Sequence, residues 1–423
     1  TSPAPSPITT FPPQTLRGST TTSTMSLAGF SALGLAAQGV ILALFYNAEF
    51  DTASFDMTDK SSVYNYYVGV ALMMFVGFGY LMTFLKAYGL GAVGFTFFIT
   101  CLGVQWAIVV EAYMAKAKLT IDFMSLLNGN FGVAAVLISF GGLLGKISPL
   151  QVCVVTLVEL ACYCGNKVYV LKQYAEDPVI ADCGGTIIIH VFGAYFGLFC
   201  SKVLGKPNND ALNGSSYVSD LFSLVGTVFL WLFWPSFVAG ALPPGDGQTK
   251  ALINTVLALL ASGVITFALT PLLESGKKLT MVPIQNATLA GGVSIGATAN
   301  LVGPFGAVLI GCLAGALSTY GFVKAPLFGD VDTCGINNLH GMPGILGGLA
   351  SAAVPFFYKD AGTIAAQQAT GLGLTLVVAA VTGTLTGYLL KALGSPSEMF
   401  TDETFWECAE DVPKDAPTGY NRA

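Results

Sequence analysis

The sequence predicts an all-α polytopic membrane protein of about twelve transmembrane helices. Three observations carry this. Only 10% of the 423 residues are charged and 53% are hydrophobic, against about 25% charged residues in a soluble domain. Runs such as "LMMFVGFGYLMTFL" and "INTVLALLASGVITFALTPLL" recur along the chain, and a bilayer core about 30 Å thick needs roughly 20 apolar residues per spanning helix. The 50 glycines are often spaced as in "GAVLIGCLAG", which lets helix backbones approach closely in lipid. The alternation of a membrane barrel, with strands of about ten residues, is absent.

In chain order, residues 1–25 are rich in Ser, Thr and Pro with one charge, Arg17. Such a stretch cannot build a core and predicts disorder; its acid-poor composition resembles a targeting remnant. Twelve apolar stretches follow, at 26–48, 62–85, 90–111, 121–144, 148–172, 183–204, 219–241, 250–273, 282–300, 304–323, 336–357 and 364–392. They make one transmembrane domain, 26–392. The ninth carries Gly291, Gly292 and Gly296, and the tenth Gly306, Gly311 and Gly315. An even number of spans puts both ends on one side. The lysines and arginines favour that side slightly as the cytosolic one. Residues 393–423 are then an acidic cytosolic tail. The plasma membrane is the expected location, with an organelle envelope as the alternative.

Composition and motifs exclude several functions. Nine cysteines are scattered without a CxxC or a Cys/His cluster, so neither a zinc site nor a disulfide framework is implied. No basic patch exists for nucleic acid. No Ser/His/Asp or HExxH-like pattern is present, so an enzyme is not expected, and neither is a metal or a cofactor. The glycosylation pattern at Asn286 lies within a span, and that at Asn213 in a loop on the cytosolic side; neither is expected to be modified.

The candidate site begins with the only two histidines. His190 lies in "DCGGTIIIHVFGAYFGLF" and His340 in "DTCGINNLHGMPG", both within apolar runs. Asp182 precedes His190 by eight residues, and Asp332 precedes His340 by eight. Four spans separate these two elements, so they run in opposite directions, as two inverted halves of a transporter would. An ionisable residue inside a span marks a functional site unless its partners explain it. A core histidine bonded to a carbonyl is the structural alternative. Two neutral imidazoles could bond each other through one nitrogen apiece and offer the others to a lumen. Burial disfavours the charged ring, so such a lumen suits a small neutral molecule and rejects a bare cation. Ammonium can escape that cost by losing a proton. Potassium cannot. Asp182 and Asp332 read both as caps of helix starts and as electrostatic support for an entering cation. Glu159 lies within the fifth span with Lys167 eight residues on, which reads as an internal ion pair or a snorkelling lysine.

The stretches "DTCGINNLHGMPGILGG", "GGTIIIHVFGAYFGL", "SDLFSLVGTVFLWLFWPSF", "IQNATLAGGVSIG" and "GKISPLQ" resemble the Rh (Rhesus) glycoprotein branch of the ammonium transporter/Rh family, over residues 26–392. The resemblance implies an eleven-helix inverted-repeat fold plus one extra N-terminal helix, a homotrimer in the lipid bilayer, and a pore in each subunit. It implies that His190 and His340 are the twin pore histidines, that Asp182 and Asp332 are the buried acids supporting them, and that Phe131 and Phe237 gate the outer mouth. Relatives commonly have Asn-Glu where this chain has Asn166-Lys167, and Asp and His where it has Thr280 and Pro283. A possible vestibule at Asn166 and Lys167 is therefore less acidic.

The expected function is a passive channel for ammonia/ammonium and methylammonium, with carbon dioxide as a second or principal cargo. The alternatives are a proton-coupled ammonium carrier and an ammonium sensor that signals through its C-terminal tail.

Overall fold

The computed structural model describes residues 20–50, 57–171, 180–206, 210–359, 362–394 and 400–408. Most of the N-terminal segment and the end of the acidic tail lie outside those residues. Helix α1, Thr20–Phe45, begins within the stretch expected to be irregular. Helix α2, Met57–Leu72, continues through a wider π turn to Phe84. It is followed by α3, Gly89–Met114, α4, Phe123–Leu143, and α5, Pro149–Gly165. Helix α6, Phe192–Leu204, grows directly out of a π turn at Thr186–Val191. Helices α7, Tyr217–Ala239, and α8, Asp246–Leu273, are continuous.

Ten helices among the described residues are long and apolar enough to cross a membrane. With every backbone group bonded inside its own segment, a helix is one of the two structures that can span lipid. Two of the twelve expected spans differ. Residues 282–300 fold as two short helices, α9, Met281–Ala287, and α10, Ala290–Ile295. Residues 336–357 open with a π turn, Asn337–Gly341, before α12, Met342–Phe357. Between them lies α11, Pro304–Lys324, and the last long helix is α13, Ala365–Ala392. The helix starts have local causes. Asp122, Ser148 and Ser216 each form a reciprocal capping box with the residue three on, which satisfies amides that the first turn cannot.

Loops expected on one side of the membrane bond each other. The Lys86 amide donates to the Gly214 carbonyl at 3.1 Å, and the Phe400 amide to that of Gly145 at 2.6 Å. Lys206 pairs with Asp330 at 2.5 Å, which holds that carboxyl below the usual range. On the opposite side Glu49–Phe50 and Thr120–Ile121 make a two-residue parallel ladder, β1 with β2. Helix α1 packs on the outside of α3 and α5, with Leu35 and Leu42 largely exposed. A Gln38–Gln105 side-chain bond of 2.8 Å fixes it to α3.

The core holds α4, α6, α10 and the π turns that open α6 and α12. The expected tail is not wholly separate. Asp402 accepts the amides of Leu90 and Gly91 at the start of α3, at 2.7 and 2.6 Å.

Candidate functional site

Each histidine is placed by the same local device. Asp182 Oδ2 accepts the amides of Ile187 and Ile188 at 2.9 and 2.8 Å. Asp332 accepts those of Ile336 and Asn337 at 2.7 and 2.9 Å. Three residues after each acid stands a glycine in the left-handed region, Gly185 at φ 68° and Gly335 at φ 76°. A side chain at such a φ is strained. The pattern Asp-x-x-Gly thus turns the chain sharply, caps the amides that follow, and starts a π turn that carries the histidine. The two copies enter from opposite sides of the bundle and meet inside it.

His190 and His340 are 1% and 3% exposed, and their Nδ1 atoms lie 3.1 Å apart. The ring planes differ by 10°. Such a contact needs one proton between the two nitrogens. In the neutral pair the ring that donates through Nδ1 has a free electron pair on Nε2, and the ring that accepts carries a proton on Nε2. The pair therefore presents one acceptor and one donor. His190 Nε2 is buried and has no hydrogen-bond partner among the described residues.

The histidines belong to a file of rings. Phe131 meets Phe237 edge-on with centroids 5.0 Å apart. Phe237 lies 5.8 Å from His190, His190 5.2 Å from His340, and His340 6.2 Å from Phe78. Trp234 stacks on His190 at 5.5 Å with planes 16° apart, and its Nε1 also has no partner among the described residues. Beyond His340 a narrow cavity is lined by Phe78, Leu137, Ile138, Asn286 and Leu339 among others. The lining is apolar apart from the Asn286 amide, the Cys334 thiol and the imidazole. Trp234 and Phe78 were not singled out from the sequence. Only the line of sight to a histidine distinguishes them from other buried aromatics.

Two readings of the sequence need correction. Lys167 does not pair with Glu159. It bonds Glu111 of α3 at 2.7 Å, with both side chains a little over a quarter exposed. Asn166 is 1% exposed and donates to the Thr375 hydroxyl of α13 at 3.2 Å, so it is packed between helices rather than opened to a mouth. Spacing within one helix could not reveal either partner, because both come from other helices.

The profile of the Ammonium Transporter Family matches residues 35–397. The chain is 40% identical over 381 residues to "Ammonium transporter Rh type C-like 2" of Danio rerio, covering 81% of this chain and 77% of the relative. It is 39% identical over 377 residues to "Ammonium transporter Rh type A" of Bos taurus, covering 86% and 88%. Among solved structures it is similar to Rh50 of Nitrosomonas europaea, a Rhesus-family channel. That match has a TM-score of 0.77 at 35% identity and covers 84% of this chain and 95% of the other. Mep2 of Saccharomyces cerevisiae shares the fold, with a TM-score of 0.67 at 18% identity over 87% and 90% of the two chains.

Proposed function

The chain belongs to the ammonium transporter family, as a multi-pass membrane protein similar to its Rh members, and from that premise we propose that it is a passive channel passing ammonia as the neutral molecule. The observation that carries this is the contact of His190 and His340 within an otherwise apolar file. A desolvated unit charge in such surroundings costs several kcal/mol even after relaxation. Ammonium meets that cost by giving its proton to water at the outer mouth, before the apolar file. Ammonia then finds one donor and one acceptor at the histidine pair, and can satisfy both. Phe131 and Phe237 act as the gate, excluding water while their faces briefly attract the cation before it loses its proton. Asp182 and Asp332 hold the π turns that aim the histidines. Methylammonium follows the same route. Carbon dioxide, which has no charge to lose, is a second cargo. The working unit is a homotrimer in the plasma membrane, each subunit with its own pore.

The same contact favours a second reading, a proton-coupled carrier, because a shared proton between two imidazoles is also a step in a relay. Neutral flux carries no current and relayed protons do.

The test is stopped-flow flux of ammonia and carbon dioxide in liposomes, with membrane current recorded in parallel. His340→Ala should change ammonia flux several-fold, leave carbon dioxide flux unchanged, and keep the fold, since orphaning His190 costs about 1–3 kcal/mol. Proteoliposomes no more permeable to ammonia than bare lipid would sink the channel reading. Ammonium-dependent current abolished by His340→Ala would replace it with the carrier.

A further inference from the structure

Glu159 lies fully buried on α5, in the middle of a spanning helix, and its role follows from counting protons. Its Oε1 is 2.6 Å from the Ser139 hydroxyl oxygen on α4. The same hydroxyl oxygen is 2.7 Å from the Gly193 carbonyl oxygen on α6. A serine hydroxyl has one proton to give. Two acceptors at 2.6 and 2.7 Å cannot both share it, because each distance is that of a full O–H···O bond. A carbonyl cannot supply a second proton. A carboxylic acid can.

We infer that Glu159 is held as a neutral carboxylic acid and heads a relay, Glu159 to Ser139 to the Gly193 carbonyl, that positions the helix carrying His190. Glu159 donates its proton to Ser139, and Ser139 donates its own to Gly193. Three helices are tied at one point. The remaining oxygen, Oε2, has no partner among the described residues, a condition a neutral acid tolerates far better than a carboxylate. The other titratable groups in reach are the thiols of Cys162 and Cys200. Lys146, beyond Cys200, directs its ammonium to the Ser201 hydroxyl and to the carbonyls of Asp330 and Val331.

The site of attachment gives the relay its purpose. Gly193 follows His190 by three residues, at the point where the π turn becomes α6. There α6 presses so closely on α4 that a Cβ on Gly193 would lie 2.5 Å from the Ala135 carbonyl oxygen. Only contact this close lets a short serine side chain reach across. Glu159 touches neither histidine. It is a positioning residue, and it sets the height of His190 against His340 through the backbone.

The protein in lipid is examined by infrared spectroscopy and by ammonia flux, as wild type, Glu159→Gln, Glu159→Ala and Ser139→Ala. At neutral pH the wild type should show the carbonyl stretch of a protonated carboxyl group. Glu159→Gln should remove that band, and Ser139→Ala should move it to higher frequency as the acid loses its acceptor. A carboxylate band lost in Glu159→Gln instead, or a carboxyl band indifferent to Ser139→Ala, overturns the relay. Should Glu159→Gln fail to fold, the Ser139→Ala shift still decides. The flux arm rests on the channel reading: Glu159→Ala should lose ammonia flux several-fold, and Glu159→Gln, whose amide still donates to Ser139, should keep it. Equal loss in both overturns the positioning role. The spectra need no conduction, so a failure of the channel reading is seen separately.

Discussion

Lys167 carries a charge that its own neighbour cancels. The resemblance drawn from the sequence puts it where an acid is expected, which predicts repulsion of an arriving cation. Its 2.7 Å bond to Glu111 turns that repulsion into a dipole. Lys167→Met would expose one carboxylate. At about 8 Å in water such a charge is worth about 0.5 kcal/mol, and a Debye length of about 8 Å reduces it further at physiological salt. The expected result is a fall in half-saturation for methylammonium of less than about twofold, vanishing at high salt, with carbon dioxide flux unaffected. Exchanging the pair as Lys167→Glu with Glu111→Lys should restore wild-type behaviour. A half-saturation for Lys167→Met unchanged even at low salt would mean that Glu111 does not face the arriving cation. What the sequence disclosed at this level followed from rarity and symmetry. Two histidines, each eight residues after an aspartate, stand out without a structure. Phe131 and Phe237 are two of 29 phenylalanines, and resemblance alone singled them out. Glu159 was visible as a buried acid, but its partner Ser139 lies twenty residues away on another helix. No periodicity within one helix encodes that pairing.

The two π turns that carry the histidines show why helix boundaries were legible and helix interiors were not. Caps and apolar length are written locally, so the starts at Asp122 and Ser148 could be read from composition. A π turn differs from an α turn by one hydrogen-bond register, and an apolar run such as "GGTIIIHVF" is compatible with either. Likewise "QNATLAGGVSIGATAN" passes for a span on hydropathy, yet folds as two short helices. The Asp-x-x-Gly unit is the locally written part of the histidine elements, and its contribution can be measured. Asp332→Ala leaves the buried amides of Ile336 and Asn337 without acceptors, at a cost of about 1–2 kcal/mol for a lost cap. Asp332→Asn keeps one accepting oxygen and should cost less. Thermal unfolding of the purified protein should therefore rank wild type above Asp332→Asn and Asp332→Asn above Asp332→Ala. Ammonia flux should fall in the same order as His340 loses its aim. An unfolding midpoint for Asp332→Ala equal to that of the wild type would deny the acid its capping role.

The assembled bundle is closed by a segment that hydropathy assigns to the tail. Residues 400–406 run beneath the ends of α3 and α4. The Phe400 amide bonds Gly145, the Asp402 amide bonds Ala87, and the Trp406 amide returns to the Asp402 carbonyl at 2.8 Å. The Asp402 carboxylate caps α3. Trp406 lies against Gly94 and meets Phe95 edge-on at 5.3 Å. Phe95 in turn contacts Phe140 of α4. A sensor that signals through residues 400–406 would need Asp402 and Trp406 free to engage a partner, whereas here the Asp402 carboxylate caps α3 and the Trp406 ring packs on it. If the segment docks as one unit, its contacts are not independent. Asp402→Ala should cost about 0.5–2 kcal/mol, the usual value of a cap. Trp406→Ala should cost about 2 kcal/mol, roughly half that of a fully buried tryptophan, because the ring is half-buried. Once either change releases the segment, the other contact is already gone. The double variant should then fall short of the sum by about 1 kcal/mol, within the range seen for residues that share partners. Unfolding midpoints of the four proteins, taken at one scan rate, measure that coupling. Additive shifts would mean that Asp402 and Trp406 hold separately and that the segment can open at one end. Ammonia flux measured on the same samples tests whether the segment belongs to the conducting path: the protein should conduct with the segment released, because no residue of 400–406 enters the file from Phe131 to Phe78.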